Sequence, residues 1–144
     1  MAQRGSILVV DDELGPRESL RMILKPIYEV HTAANGQEAL QFIDKEEIDL
    51  ITLDLKMPGI PGLDVLREIK KHREDIEVII VTGYGTLANA MEAIRCGAVD
   101  FISKPFDVAN IVAVVGKSIE RRNLKQQMKD LSQKIKGPLP MGEN

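Results

Sequence analysis

Five short segments of strand length, each followed by a stretch with helical spacing, constrain this chain more than any other feature. The segments are 6–10 (SILVV), 28–33 (YEVHTA), 49–55 (DLITLDL), 76–82 (IEVIIVT) and 99–104 (VDFISK). Between them, 15–26 sets Leu20, Ile23 and Leu24 at helical spacing between Pro16 and Pro26, and 35–46 does the same with Ala39, Leu40 and Ile43. Residues 63–72 and 86–97 give two more helices, the second closed by Gly97. A last helix is expected from Asp107, as N-cap, to about residue 136. Strands alternating with helices in this way predict an α/β fold, a five-stranded parallel sheet doubly wound by helices on both faces. Its crossovers are expected to be right-handed. The unbroken apolar runs 6–10 and 76–81 suit central strands buried on both sides.

Several classes are excluded by composition. The chain is 44% hydrophobic and 28% charged, a globular and not a disordered balance. No apolar run approaches the roughly 20 residues that span a bilayer. The N-terminal apolar run is too short for a signal peptide and meets acid at once, so a cytoplasmic location is expected. The single cysteine, Cys96, rules out an internal disulfide and a cysteine-rich metal site. Charge is uneven: residues 1–116 hold 12 basic and 19 acidic residues, whereas 117–136 hold seven basic and two acidic. A basic helix of this kind usually presents a solvated face, and no direct nucleic-acid contact is assigned to it.

In an open parallel sheet, ligands bind at the carboxyl ends of the strands. Those ends present Asp11 and Asp12 after the first strand, Asp54 after the third, Thr82 after the fourth and Lys104 after the fifth. Three carboxylates at one edge repel unless a cation joins them, and an all-oxygen donor set suits a hard ion such as Mg2+. With such an ion in place, Asp54 is suited to attack phosphorus and carry an aspartyl phosphate. Lys104 would clamp a phosphoryl oxygen, and Thr82 would donate a hydrogen bond to another.

The motifs ILVVDDE, LDLKMPGIPG, VTGYGT and DFISKPF, in this order, resemble the receiver domain of bacterial two-component response regulators over about residues 5–120. The resemblance implies the flavodoxin-like strand order 2-1-3-4-5 and a phosphoacceptor at Asp54. It implies Mg2+ held by Asp12 directly, Asp11 through water, Asp54, and the backbone carbonyl of Lys56. Thr82 and Phe101 take the switch positions, Lys104 matches the family lysine, and Pro105 is expected after a cis peptide bond. Lys56 and Tyr84 fall where the lifetime of the phosphoryl group is tuned. Phenylalanine in place of the frequent tyrosine at 101 cannot donate a hydrogen bond, so its movement must rest on packing. The wording of TGYGTLANAMEAIRCGAVDFISKPF is most similar to receivers of the nitrogen-regulatory (NtrC-type) class, which often precede a sigma-54-activating ATPase and a DNA-binding domain. The partners implied are a sensor histidine kinase, a second copy of the chain through the fourth helix, fifth strand and fifth helix, and an output domain outside these residues.

This divides the chain into a receiver at 1–120, a helical extension at 121–136 and a disordered tail at 137–144, in a chain expected to be cut from something longer. In the extension Leu124, Met128, Leu131 and Ile135 follow a 4-3-4 spacing, about two heptads of a coiled-coil seam. Other readings compete. A haloacid-dehalogenase-type phosphatase also forms an aspartyl phosphate, but it needs a second acid two residues on, where Lys56 stands. A flavin or nucleotide binder needs a Gly-rich loop where DDELGPR stands. A receiver fold serving only as an interaction module would have no use for the full acid, threonine and lysine set. His31 and His72 lack partners at ligand spacing, Cys96 reads as half-buried, and Met57, Met91 and Met128 read as packing residues.

Overall fold

The computed structural model describes residues 4–83 and 85–135. Five strands, β1 Ser6–Val10, β2 Glu29–Ala33, β3 Leu50–Leu53, β4 Glu77–Thr82 and β5 Asp100–Ser103, form one sheet. Their order is β2-β1-β3-β4-β5, and every pairing is parallel. The helices between and after them are α1 Leu14–Leu24, α2 Gly36–Lys45, α3 Gly62–His72, α4 Leu87–Arg95 and α5 Val108–Ile135. The expected α/β architecture and strand order are therefore those observed.

Period-two alternation in the strands divides the interior into two cores. Ile7 and Val9 of β1, with Leu50, Ile79 and Val81, face Leu20 and Leu24 of α1 and Ile111, Val115 and Ile119 of α5. Leu8 and Val10, with Ile51, Leu53, Val78 and Ile80, face Ala39 and Ile43 of α2, Val65, Leu66 and Ile69 of α3 and Ala93 of α4. The chain reverses its direction of travel between β1 and β3, and there the two loops part to leave a crevice at the carboxyl edge.

The helices start and stop for local reasons. Asn35 caps α2 by accepting from the Glu38 amide, and Glu38 in turn accepts from the Ala34 amide. Thr86 caps α4 through the Asn89 amide, and Gly97, at φ 110°, turns the chain out of it. At α5, the carbonyl of Asp107 accepts the first helical bond, from Ile111, which agrees with its expected place as N-cap.

Only the first half of α5 packs on the sheet. Beyond it, basic residues meet acids at the amino edge of the strands. Arg122 reaches Asp49 at 2.9 Å and Asp75 at 3.0 Å, while Arg121 and Lys125 approach the buried Glu77 at 3.5 and 3.7 Å. After this ionic collar the predicted seam residues Leu124, Met128, Leu131 and Ile135 are all more than half exposed. Residue 136 and the expected tail at 137–144 lie outside the described residues.

Candidate functional site

Backbone pairing runs one residue past the strands that carry the site, and the functional side chains leave the sheet at those last rungs. The amide of Asp11 donates to Ala33, that of Asp54 to Val10 and that of Lys104 to Thr82. Asp11, Asp54 and Thr82 are buried, with Thr82 fully so, whereas Asp12 faces solvent. The five residues singled out from the sequence therefore meet in one cleft at the carboxyl edge, of about 670 Å³, or border it directly.

Each oxygen of the Asp54 carboxylate has its own donors. Oδ1 accepts from the Thr82 hydroxyl at 2.6 Å and from the Lys56 amide at 3.1 Å. Oδ2 accepts from Lys104 Nζ at 3.0 Å, and the same ammonium donates to Asp11 Oδ2 at 2.6 Å. Lys104 thus bridges two buried acids, with its own side chain only 14% exposed. Burial pushes the Asp11 carboxyl above its ordinary value, against the pull of Lys104, and the Asp54 charge adds to the rise. For Lys104 burial acts in the other direction, but the hydrogen bonds to Asp11 and Asp54 outweigh it and lift the ammonium above its ordinary value. Lysine is the charge that answers the carboxylate knot here.

Asp11, Asp12 and Asp54 each offer an oxygen within 4.8 Å of the others. Three hard oxygen donors on a half-open cleft, one of them solvent-facing, fit a small divalent cation that keeps some of its water. The Thr82 hydroxyl touches Asp54 directly and so gives a buried carboxylate oxygen one of the donors it needs.

Phe101 is half-buried and packs against the core shared with α2, α3 and α4. Pro105 follows a cis peptide bond, as expected. The Lys56 side chain is exposed at the mouth of the cleft, and Tyr84 lies outside the described residues. One contributor escaped the sequence reading. Arg17 donates to the backbone carbonyl of Asp11 at 2.8 Å. Its only sequence signal is its place, one turn into the helix that follows the acids.

The profile of the response regulator receiver domain matches residues 7–116, which spans all five strands and the start of α5. The chain belongs to the response regulator receiver family. This receiver is 42% identical over 112 residues to sporulation initiation phosphotransferase F of Bacillus subtilis (strain 168), covering 77% of the chain and 90% of that protein. It is 34% identical over 137 residues to the DNA-binding transcriptional regulator NtrC of Escherichia coli (strain K12), covering 94% of the chain and 29% of NtrC. The crystal structure of NtrX from Brucella abortus superposes with a TM-score of 0.86 at 35% identity, over 97% of this chain and 32% of that one. The receiver spans less than a third of the length of these longer regulators, and 28% of the regulatory protein AtoC of Escherichia coli (strain K12). Among the described residues no helix is long and apolar enough to cross a membrane.

Proposed function

We propose that this receiver is the phosphorylated switch of a cytoplasmic two-component relay, taking a phosphoryl group on Asp54 from a phosphohistidine of a sensor histidine kinase. The observation that carries the reading is the seating of Asp54: one carboxylate oxygen on Lys104 and the other on Thr82, with Asp11 and Asp12 alongside. Asp54 attacks phosphorus, the bond from phosphorus to the histidine nitrogen breaks, and the electron pair leaves on the imidazole. Asp11, Asp12, Asp54 and the Lys56 carbonyl would hold Mg2+, which would supply charge neutralisation for the phosphoryl oxygens. Lys104, released from part of its pairing with the acids, follows the new negative charge, and the Thr82 hydroxyl turns from Asp54 to a phosphoryl oxygen. Phe101 packs into the room this leaves, and Lys56, at the mouth of the cleft, governs the access of water together with Tyr84. The receiver acts on its own aspartate alone and turns over no second substrate.

Two preexisting arrangements of the α4, β5 and α5 face are biased by the phosphoryl group, which changes self-association and, through α5, the activity of an output domain. Exposed Leu87, Met91 and Ile94 on α4, together with the apolar stripe of the α5 extension, support a homodimer. The similarity to NtrC and NtrX supports a transcriptional output of the sigma-54-dependent kind. Intact mass after incubation with acetyl phosphate and Mg2+ tests the chemistry. A gain of one phosphoryl group is expected, absent without Mg2+ and absent in Asp54→Ala. No gain, under conditions that label another receiver, would leave a fold used for interaction alone. An unchanged oligomeric state with and without a phosphoryl mimic would reject the dimer switch.

A further inference from the structure

We infer that Arg17 is a positioning residue for the metal-binding acids, an inference that rests on the proposed role of the cleft. Among the described residues the Asp12 side chain makes no hydrogen bond or ion pair, so its aim depends on the backbone that carries it. That backbone is held on both sides. The Asp11 carboxylate accepts from the Glu13 amide at 2.9 Å, closing a tight turn around Asp12. Arg17 Nη1 donates to the Asp11 carbonyl at 2.8 Å, fixing the peptide that leads into the turn.

The start of α1 supplies little else to hold this segment. Its N-cap, Glu13, makes no side-chain capping bond, and its first turn carries no acid. Pro16 lacks an amide to donate. Glu13 is paired outward with Lys104 at 3.7 Å, and the half-buried Arg17 ties the first turn of the helix directly to the end of β1. It does not line the cleft, and its action passes through the Asp11–Asp12 peptide.

A useful feature of this role is its sign. A guanidinium repels a metal ion, so on charge alone Arg17→Ala would tighten Mg2+ binding. If Arg17 instead holds the turn that aims Asp12, the same change weakens binding, because the acids must be ordered by the metal itself. Partners that orient metal ligands from outside the coordination shell are typically worth about tenfold or more in affinity.

The test is calorimetric titration of the unphosphorylated chain with Mg2+, for the wild type, Arg17→Ala and Arg17→Lys. Expected is a loss of about tenfold in Arg17→Ala, with most of it recovered in Arg17→Lys, which keeps a donor on a long stem. In labelling by acetyl phosphate, Arg17→Ala should need more Mg2+ for half-maximal rate yet reach the wild-type rate at saturation. Should Arg17→Ala fail to fold, Arg17→Met keeps the aliphatic stem without the donor and is expected to show the same loss. Unchanged or tighter Mg2+ binding in a folded variant overturns the inference and leaves the reading of the site intact. A wild-type chain that takes up no Mg2+ overturns both.

Discussion

Lys104 and Thr52 show how differently two buried polar side chains can be accommodated. The Lys104 ammonium lies between Asp11 and Asp54 and donates to both. Lys104→Ala is expected to tighten Mg2+ binding by about tenfold, because a neighbouring cation is gone. It is expected also to slow phosphoryl transfer at saturating Mg2+ by about a hundredfold, since one fixed charge on the transferring group is lost. Mg2+ titration and labelling rates on one variant separate the two effects, and a slower rate that extra Mg2+ repairs would count against the clamp. Opposite signs of Mg2+ affinity in Lys104→Ala and Arg17→Ala would divide charge from geometry at a single site. Thr52, in β3 between Val9 and Ile79, has a buried hydroxyl with no hydrogen-bond partner among the described residues. An unpaired buried hydroxyl is destabilising, so Thr52→Val should raise stability by about 1 kcal/mol. Urea unfolding should show a higher midpoint with an unchanged slope.

At the scale of elements, α5 is held by two kinds of force in succession. Ile111, Val115 and Ile119 bury apolar surface against the sheet, and the ionic collar then takes over. The Arg122 side chain is only 15% exposed and answers Asp49 and Asp75, which are themselves partly open to water. Arg122→Ala is therefore expected to lower stability by about 1–2 kcal/mol, between the values for surface and buried pairs. The difference from wild type should shrink in 1 M salt on the order expected from screening, and amide exchange should quicken in α5 after Arg121. Equal loss at low and high salt would point to packing instead. This collar was not legible in the sequence, because it joins the starts of β3 and β4 to a distant helix and no periodicity marks such pairs. The elements themselves were legible, since apolar runs and their breakers are local signals. Their ends differed by a residue or two for visible reasons. The third strand was expected over 49–55 and is Leu50–Leu53, with Asp49 and Asp54 bonded just beyond its ends: the Asp49 amide donates to Ser6 and its carbonyl accepts from Glu77, and the Asp54 amide donates to Val10. The first helix begins at Leu14, and Pro16 is its third residue, where no helical donor is needed. Asp11, Asp12, Asp54, Thr82 and Lys104 could be read because each stands at a strand end. Arg17 could not, because it works through a carbonyl that belongs to another residue.

Over the whole molecule, Asp54 and the collar sit at opposite edges of the same sheet. β3 and β4 carry the cleft at their carboxyl ends and the anchors of α5 at their amino ends. A strand of four to six residues spans only about 13–20 Å, so the two edges are separated by a short, fully buried rod. What leaves the domain is α5 without interruption from Val108 to Ile135. Its 28 residues extend about 42 Å at 1.5 Å each. Such a helix transmits angle as well as position, and angle has a period. Each inserted residue turns everything downstream by about 100°. A pair of reporter proteins fused after Ile135 through helical spacers should therefore respond to Asp54 phosphorylation in a rhythm set by spacer length. Seven added residues should preserve the response, two should abolish or invert it, and resonance energy transfer between the reporters would read it out. A response that only declined with spacer length would mean that the helix acts as a tether. Pitch, on this reading, is information the domain passes on, and a graft that ignores it will be wired to the switch but out of phase.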